Sequence, residues 1–472
     1  MKRKGEKMNQ SQEKATLRAN HLKIEPFQFL DFLQWESLQT FNEHGYLRMT
    51  GLIAEENRTV YEEMATKETW VCAKTWDEAG SEFVLFQGVL TQLSIQSQHQ
   101  FHTMTIEIKT GTFLLDQVSH TRTFQLDSTA YESVIETCLS SVKGDFIMRE
   151  KRAEKIGQFT VQYRESDWAF IKRLAKRLGV VIFPETRTRG KRFLVGLNPN
   201  EKAEEISVDT YILSRSLHDP HSLINEKLGT YQIQTRDVYE LGQAVQFQGK
   251  RLIVCQIESR LEQSELIHYY TLGSIQSTYE MKPAHDAIKG VAMKASITQV
   301  SKDRVQISIH EDENRSQSGA RWFDYATVYS TPDGTGWYAM PELGDEVRVL
   351  FPDTDESGAY VSSSVHLETK GGRTNPAHKS WKNKQRKEIL FTPDTLTLTN
   401  NNGLSIELSD QRGITIHSNR GIFLQSDGQI QLDSQKAGIT VSGERNLTLQ
   451  QGAAQIHMQD AIDISGGKIN MN

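Results

Sequence analysis

The chain has 472 residues, a net charge of -6, 3 cysteines, 10 prolines and 32 glycines, with 37% apolar residues and a mean hydropathy of -0.53. That length allows three or four domains with cores of their own, and Cys72, Cys138 and Cys255 stand too far apart for a disulfide framework or a zinc ribbon. The longest run of large apolar residues, Val180 to Phe183, is far too short to span a bilayer, and the slightly acidic balance argues against nucleic-acid binding.

Residues 1–20 are basic with no apolar stretch behind them, which predicts a disordered tail rather than a secretory signal, and hence assembly in the cytoplasm. From 21 to 285 strands mix with two helices. The first is expected to begin at Thr129, with Glu132 completing a capping box and Tyr131, Val134, Ile135, Cys138, Leu139 and Val142 on one face. The second runs from Ser166 as N-cap to Gly179, with Phe170, Ile171, Leu174 and Leu178 inward. Its charges Lys172, Arg173, Lys176 and Arg177 are expected outward, on a solvated or subunit-facing surface. Either side of this α/β part, at about 120–200, lie two hairpins of the same length and polarity pattern, Gly88 to Ile108 and Leu252 to Leu272. They hint at one β module used twice.

From 286 to 368, five short strands are expected: Val291–Gln299, Arg304–His310, Asp324–Tyr329, Glu346–Phe351 and Ala359–Val365, which suits an OB-type barrel. The acidic turn Asp353, Asp355, Glu356 lacks the glycine and later glutamate of a calcium loop and reads as a solvated turn. His310, Glu311 and Asp312 read likewise as a polar turn, and His99 with His102 as turn and strand positions. No G-x-S-x-G, H-E-x-x-H, P-loop or dinucleotide fingerprint occurs, so no catalytic, metal or cofactor site is expected. Residues 369–387, with Gly371, Gly372, Pro376 and the basic run His378 to Lys387, read as a linker.

Composition changes sharply after Trp381. From Glu388 to Asn472 there is no Trp, Tyr or Cys, and apolar-x-apolar triplets begin at Ile406, Ile414, Ile422, Ile430, Ile439, Leu447, Ile456, Ile462 and Ile469, in steps of 8, 8, 8, 9, 8, 9, 6 and 7. A period near eight with polar or glycine residues between means short strands joined by tight bends. A solitary three-faced coil needs roughly twenty residues per turn. Three chains wound together close one triangular layer from one octad each, so the period predicts a homotrimer, with a prism on the order of 50 Å long. A single-chain solenoid or a two-sheet sandwich is the alternative, although only Phe391 and Phe423 offer aromatic core.

The order of parts resembles the spike proteins of contractile injection machines, called VgrG in type VI secretion and hub-spike or late-control gene D proteins in contractile phage tails. Gln162 to Phe183, QYRESDWAFIKRLAKRLGVVIF, is similar to the family's strand-to-helix segment. Trp337 to Phe351, WYAMPELGDEVRVLF, resembles the barrel signature W-x-x-x-P-E-x-G-D-E-V-x-V-x-F, and octads follow that barrel in such spikes. The resemblance implies a mainly β chain with a smaller α+β part: a hub of tube-like β modules, an OB-fold neck and an intertwined trimeric β-helix over 388–472. It implies a structural, non-enzymatic homotrimer that meets the tail tube and baseplate proteins, punctures the target envelope and is delivered outside the cell. No lysozyme-like insertion or fused effector follows, so Ile469 and Met471 are expected to present an apolar top to a separate tip protein of the PAAR-repeat type. A β-helical tailspike, carbohydrate-acting or adhesive, is the alternative, but it wants loops with acidic pairs or aromatic platforms that these repeats lack.

Overall fold

A computed structural model describes residues 21–65, 68–76, 80–99, 101–215, 229–274, 284–362 and 375–458. The chain divides into two units, 1–366 and 367–472.

In the first unit a twelve-stranded sheet is built by one topology used twice. The first copy follows the path Trp70–Trp76, Glu82–Gln98, Phe101–Lys109, Tyr46–Ile53, Asp31–Thr40. The second follows Ala244–Phe247, Lys250–Glu262, Glu265–Gly273, Thr230–Thr235, Tyr211–Ser214. In both, the second and third strands of the path form a long hairpin, and the fourth, earlier in the chain, pairs with its far edge. Each copy also takes an outer partner, but in opposite senses: Lys23–Glu25 lies antiparallel to Trp70–Trp76 and Glu204–Glu205 parallel to Ala244–Phe247. The two hairpins bulge at matching positions, Leu90/Gln92 and Val254/Gln256, so the strands bend at the same place and the sheet curls. Strand Asp31–Thr40 pairs antiparallel with Lys250–Glu262, Glu36 opposite Arg260, and this welds the copies into one nearly closed, barrel-like sheet. The resemblance between the hairpins at 88–108 and 252–272 therefore reflects a repeated module.

Between the copies lies the α/β part. Helix Asp167–Leu178 starts at Ser166, whose hydroxyl accepts from the Ala169 amide, and stops at Gly179 with φ 71°. Helix Tyr131–Ser140 buries Tyr131, Val134, Ile135, Cys138 and Leu139 as its period requires. Its expected capping box does not form: Ala130 is held extended by a bridge to Lys155, the helix starts one residue later, and Glu132 turns to Arg152, 2.9 Å away. All three cysteines are free and buried.

The barrel orders its strands Phe323–Asp324, Arg304–Ile309, Ala292–Ser301, Glu346–Leu350, Tyr360–Ser362. A parallel bridge between Tyr325 and Val361 brings the first and last together. The third strand is shorter than expected, because the chain leaves the sheet after Asp324 for the turn closed by the Ser330–Gly336 bridge.

In the second unit the strands Lys379–Lys382, Glu388–Phe391, Thr395–Thr399, Leu404–Ser409 and Gly413–Ser418 form an antiparallel meander, and Leu447–Gln451 pairs with Ala454–Met458. Lys379–Lys382 is thus the first strand of the meander, where the basic run reads as linker in the sequence.

Gly88 opens the first long hairpin with its backbone against Lys109, where a Cβ would stand 2.1 Å from the Lys109 carbonyl oxygen. Gly88→Ala is expected to cost about 1–3 kcal/mol through forced strand separation, read as a lowered thermal midpoint.

Candidate functional site: a buried ionic joint and an apolar sheet face

Two features of the structure have the character of functional parts. The first is the joint between the α/β part and the barrel. Helix Asp167–Leu178 turns Arg173 inward, 8% exposed, where Nη1 donates to Glu356 Oε1 at 2.6 Å and Nε and Nη2 hold Glu165 at 3.0 and 2.7 Å. Arg177 Nη2 donates to the other Glu356 oxygen at 2.8 Å, and His285 Nδ1 lies 3.0 Å from Oε1. Glu356 itself is fully buried. Burial alone raises its pKa, but the His285 hydrogen bond and the Arg173 and Arg177 charges outweigh that and hold it at about 2. The expected outward Arg173 and solvated Glu356 are therefore corrected: each is buried because the other neutralises it across the joint.

The second side of the joint uses the supposed polar turn after His310. The Thr123 amide and hydroxyl donate to Asp312 at 2.9 and 2.5 Å, and burial raises the Asp312 pKa in spite of these bonds. Glu313 accepts from the Thr121 amide at 3.0 Å and meets His120 Nδ1 at 2.6 Å, while its own amide donates to the Thr121 carbonyl at 2.9 Å. The barrel chain thereby adds itself to the edge of strand Ser119–Phe124. Between the two ionic sides, Phe159 from the α/β part enters the barrel core, edge-on to Phe323 and stacked near Phe351. Barrel and α/β part share one core.

The second feature is a face of the C-terminal meander. Register places Trp381, Ile389, Leu398, Ile406 and Ile416 in one row across all five strands. A parallel row holds Phe391, Leu396, Leu408 and Ile414. The opposite face carries Thr395, Thr397, Thr399, Ser405, Glu407, Ser409, Thr415 and His417. Alternation of this kind belongs to a sheet with one face against a core. Among the described residues nothing covers this face: seven of the nine are exposed, from 40% at Ile406 to 72% at Ile414, and Ile389 and Leu396 are half-buried. The triplets that follow are as bare, with Leu424 73%, Leu432 69% and Val441 62% exposed. Ile469 and Met471 lie outside the described residues.

His99 sits in a turn at φ 57°, and His102 bonds across the hairpin to Ser97 at 2.8 Å. Its counterpart in the second module is Ser259–His268, 2.7 Å apart beside a cavity of about 330 Å³, where burial pushes the His268 pKa down to about 4. Among the described residues no carboxylate meets the second nitrogen of either imidazole, and no three His, Cys, Asp or Glu side chains converge as metal ligands.

Residues 66–209 match the family model of the phage tail baseplate hub (GPD), and residues 294–366 match that of the type VI secretion system/phage-baseplate injector OB domain. Similar solved structures include the half-lidded Francisella PdpA-VgrG complex, at 8% identity over 84% of this chain and 88% of that one, TM-score 0.55. The lidless PdpA-VgrG complex is similar at 9% identity over 82% and 94%, TM-score 0.54. The E. coli c3393 protein, a type VI secretion component, aligns at 15% identity over 72% and 98%, TM-score 0.49. No curated protein matches the sequence.

The joint predicts a pH signature. Glu356 contributes stability that is complete above the ordinary glutamate range near 4.5 and is lost as pH falls toward about 2. Glu356→Gln should cost about 3–5 kcal/mol at pH 7, leaving Glu165 as the one carboxylate against the Arg173 and Arg177 charges at the joint. The gap between variant and wild-type thermal midpoints should close between pH 4.5 and 2. A gap unchanged at pH 2 would contradict the ionic role.

Proposed function

The chain is a VgrG-like hub-spike protein, a structural part of a contractile injection machine, and from that premise we propose that it works as a homotrimer whose three C-terminal sheets face one another. The observation that carries this is the bare double row on the meander: nine large apolar side chains per chain lie on one face with no core of their own. Fully burying a large apolar side chain is worth about 1.5–3 kcal/mol, so even half of that from nine residues in each of three chains is comparable with or above the roughly 4–15 kcal/mol lost at each of two associations. Three such sheets close a triangular prism, apolar inside and threonine-rich outside, as a needle requires.

In this reading residues 21–285 are the hub, 286–368 the neck and 388–472 the needle, joined by the strand Lys379–Lys382 of the passage 369–387, and residues 1–20 lie outside the described residues. Each chain brings two copies of one β module, so a trimer presents six to a hexameric tail tube, with baseplate proteins around it. The needle leads through the target envelope when the machine contracts, and the trimer, assembled in the cytoplasm, ends outside the cell. The work is mechanical rather than catalytic. No observation favours a carbohydrate-acting tailspike, and purified protein should show no turnover of peptidoglycan.

Ile406→Asp with Leu408→Asp puts six carboxylates inside the prism. The double variant should elute as monomer or aggregate, and it should lose the resistance to detergent and heat expected of the wild type. A variant as resistant and as large as the wild type would refute the prism.

The octad pattern continues to Ile469 and Met471, which supports a separate tip protein of the PAAR-repeat type seated on three copies of each. Ile469→Asp with Met471→Asp should abolish co-purification of the tip protein while leaving the trimer intact. Retained tip binding would count against these residues.

A further inference from the structure

The twelve-stranded sheet carries a buried polar row at the seam between its two copies. Ser37 lies opposite Ser259 and Ser259 opposite His268, so three neighbouring strands set three polar side chains side by side, all of them buried. The inward face of a central strand is usually apolar, because a polar group without a partner is costly there. Here the row lines the cavity of about 330 Å³, together with Trp35, two residues before Ser37 on the same face.

The polar groups around this cavity are unmet in one sense only. Trp35 is 4% exposed, and its indole Nε1 finds no acceptor in the chain. His268, also 4% exposed, has no partner at Nε2, and in the tautomer whose Nδ1 accepts from Ser259 that nitrogen donates as well. Arg149, exposed at the rim, meets no carboxylate among the described residues and lies only over the Phe183 ring, at 6.0 Å. The two acids of the lining are already engaged: Glu240 holds the Arg187 guanidinium at 2.6 Å, and Glu185 accepts from the Arg187 amide at 2.9 Å. What is left over is donor capacity, and it calls for acceptor oxygens. The other walls include Leu85, Phe86, Phe183, Leu194 and Leu241, which ask for an apolar body.

Depth divides the work between these donors. A carboxylate at the floor, beside an imidazole that burial keeps neutral, would lie buried without a counter-charge. Its place is at exposed Arg149, and the floor takes a neutral oxygen. The cavity has the space of about eleven waters at roughly 30 Å³ each, hence of a molecule of about ten non-hydrogen atoms. We propose that it binds a small organic acid with an apolar middle, its carboxylate on Arg149 and a carbonyl or hydroxyl oxygen on Trp35 Nε1 and His268 Nε2. Trp35 belongs to the first copy of the module, His268 to the second and Arg149 to the α/β part, so the bound acid pins all three together.

Calorimetric titration of the full chain with 7-oxooctanoate, octanoate and 2-octanone tests this, since the second probe lacks the floor oxygen and the third the carboxylate. The oxo acid should bind saturably and raise the thermal midpoint, and each of the other two should bind about tenfold more weakly for the loss of one hydrogen-bonded group. Arg149→Gln, at an exposed side chain, should weaken the oxo acid about tenfold and leave 2-octanone unchanged. Trp35→Phe should weaken the oxo acid likewise and leave octanoate unchanged; if it lowers the midpoint of the free protein, the Arg149→Gln result decides alone. No saturable binding of the oxo acid, equal binding of the three probes, or an Arg149→Gln chain that binds the oxo acid as the wild type does overturns the site.

Discussion

A β-sheet one layer thick and apolar on one face has to find its core outside itself. The meander over Lys379–Ser418 meets that condition strand after strand: Trp381 on the first strand and a pair of large apolar side chains on each of the next four return to the same face. The hydrophobic effect then selects an assembly in place of a monomer, and the narrowness of the stripe, two residues per strand, selects a slender one. A wider stripe would favour a sandwich. Threonine on the other face keeps β-propensity high and the outside wettable, a combination suited to a shaft that passes through a lipid or peptidoglycan layer without sticking to it.

A shaft is useful only when what holds it does not yield. The barrel is fixed to the α/β part by buried carboxylates, Glu356 under Arg173 and Arg177 and Asp312 on the Thr123 backbone and hydroxyl. A buried ion pair adds little to equilibrium stability compared with an apolar replacement, but it is costly to separate and exacting in geometry. Both properties suit a joint that carries load. The doubled module adds a further economy: one five-strand topology is written twice in a chain.

Much of this was legible in the amino-acid sequence, and the gaps have physical causes. The octads were legible because a period of eight with alternating apolar residues has few structural solutions. Helix Asp167–Leu178 was legible because Ser166 and Gly179 are local signals that need no tertiary partner. Arg173 and Glu356 were misplaced for the opposite reason: 183 residues separate them, and amphipathic periodicity treats any charge as outward. Thr129 failed as a cap because the bridge from Ala130 to Lys155, a longer-range contact, decides where the helix begins. The repeated module left only a faint trace, two hairpins of like polarity, because its identity lies in strand order and bulge position.

The number of chains in the assembled particle bears most directly on the account, and the native mass of the full-length protein measures it. Three times the 53.7 kDa chain is the predicted value, independent of concentration across the micromolar range. A single-chain mass with the C-terminal unit folded would mean that the apolar rows find their core within one copy, and the trimeric spike would have to be abandoned.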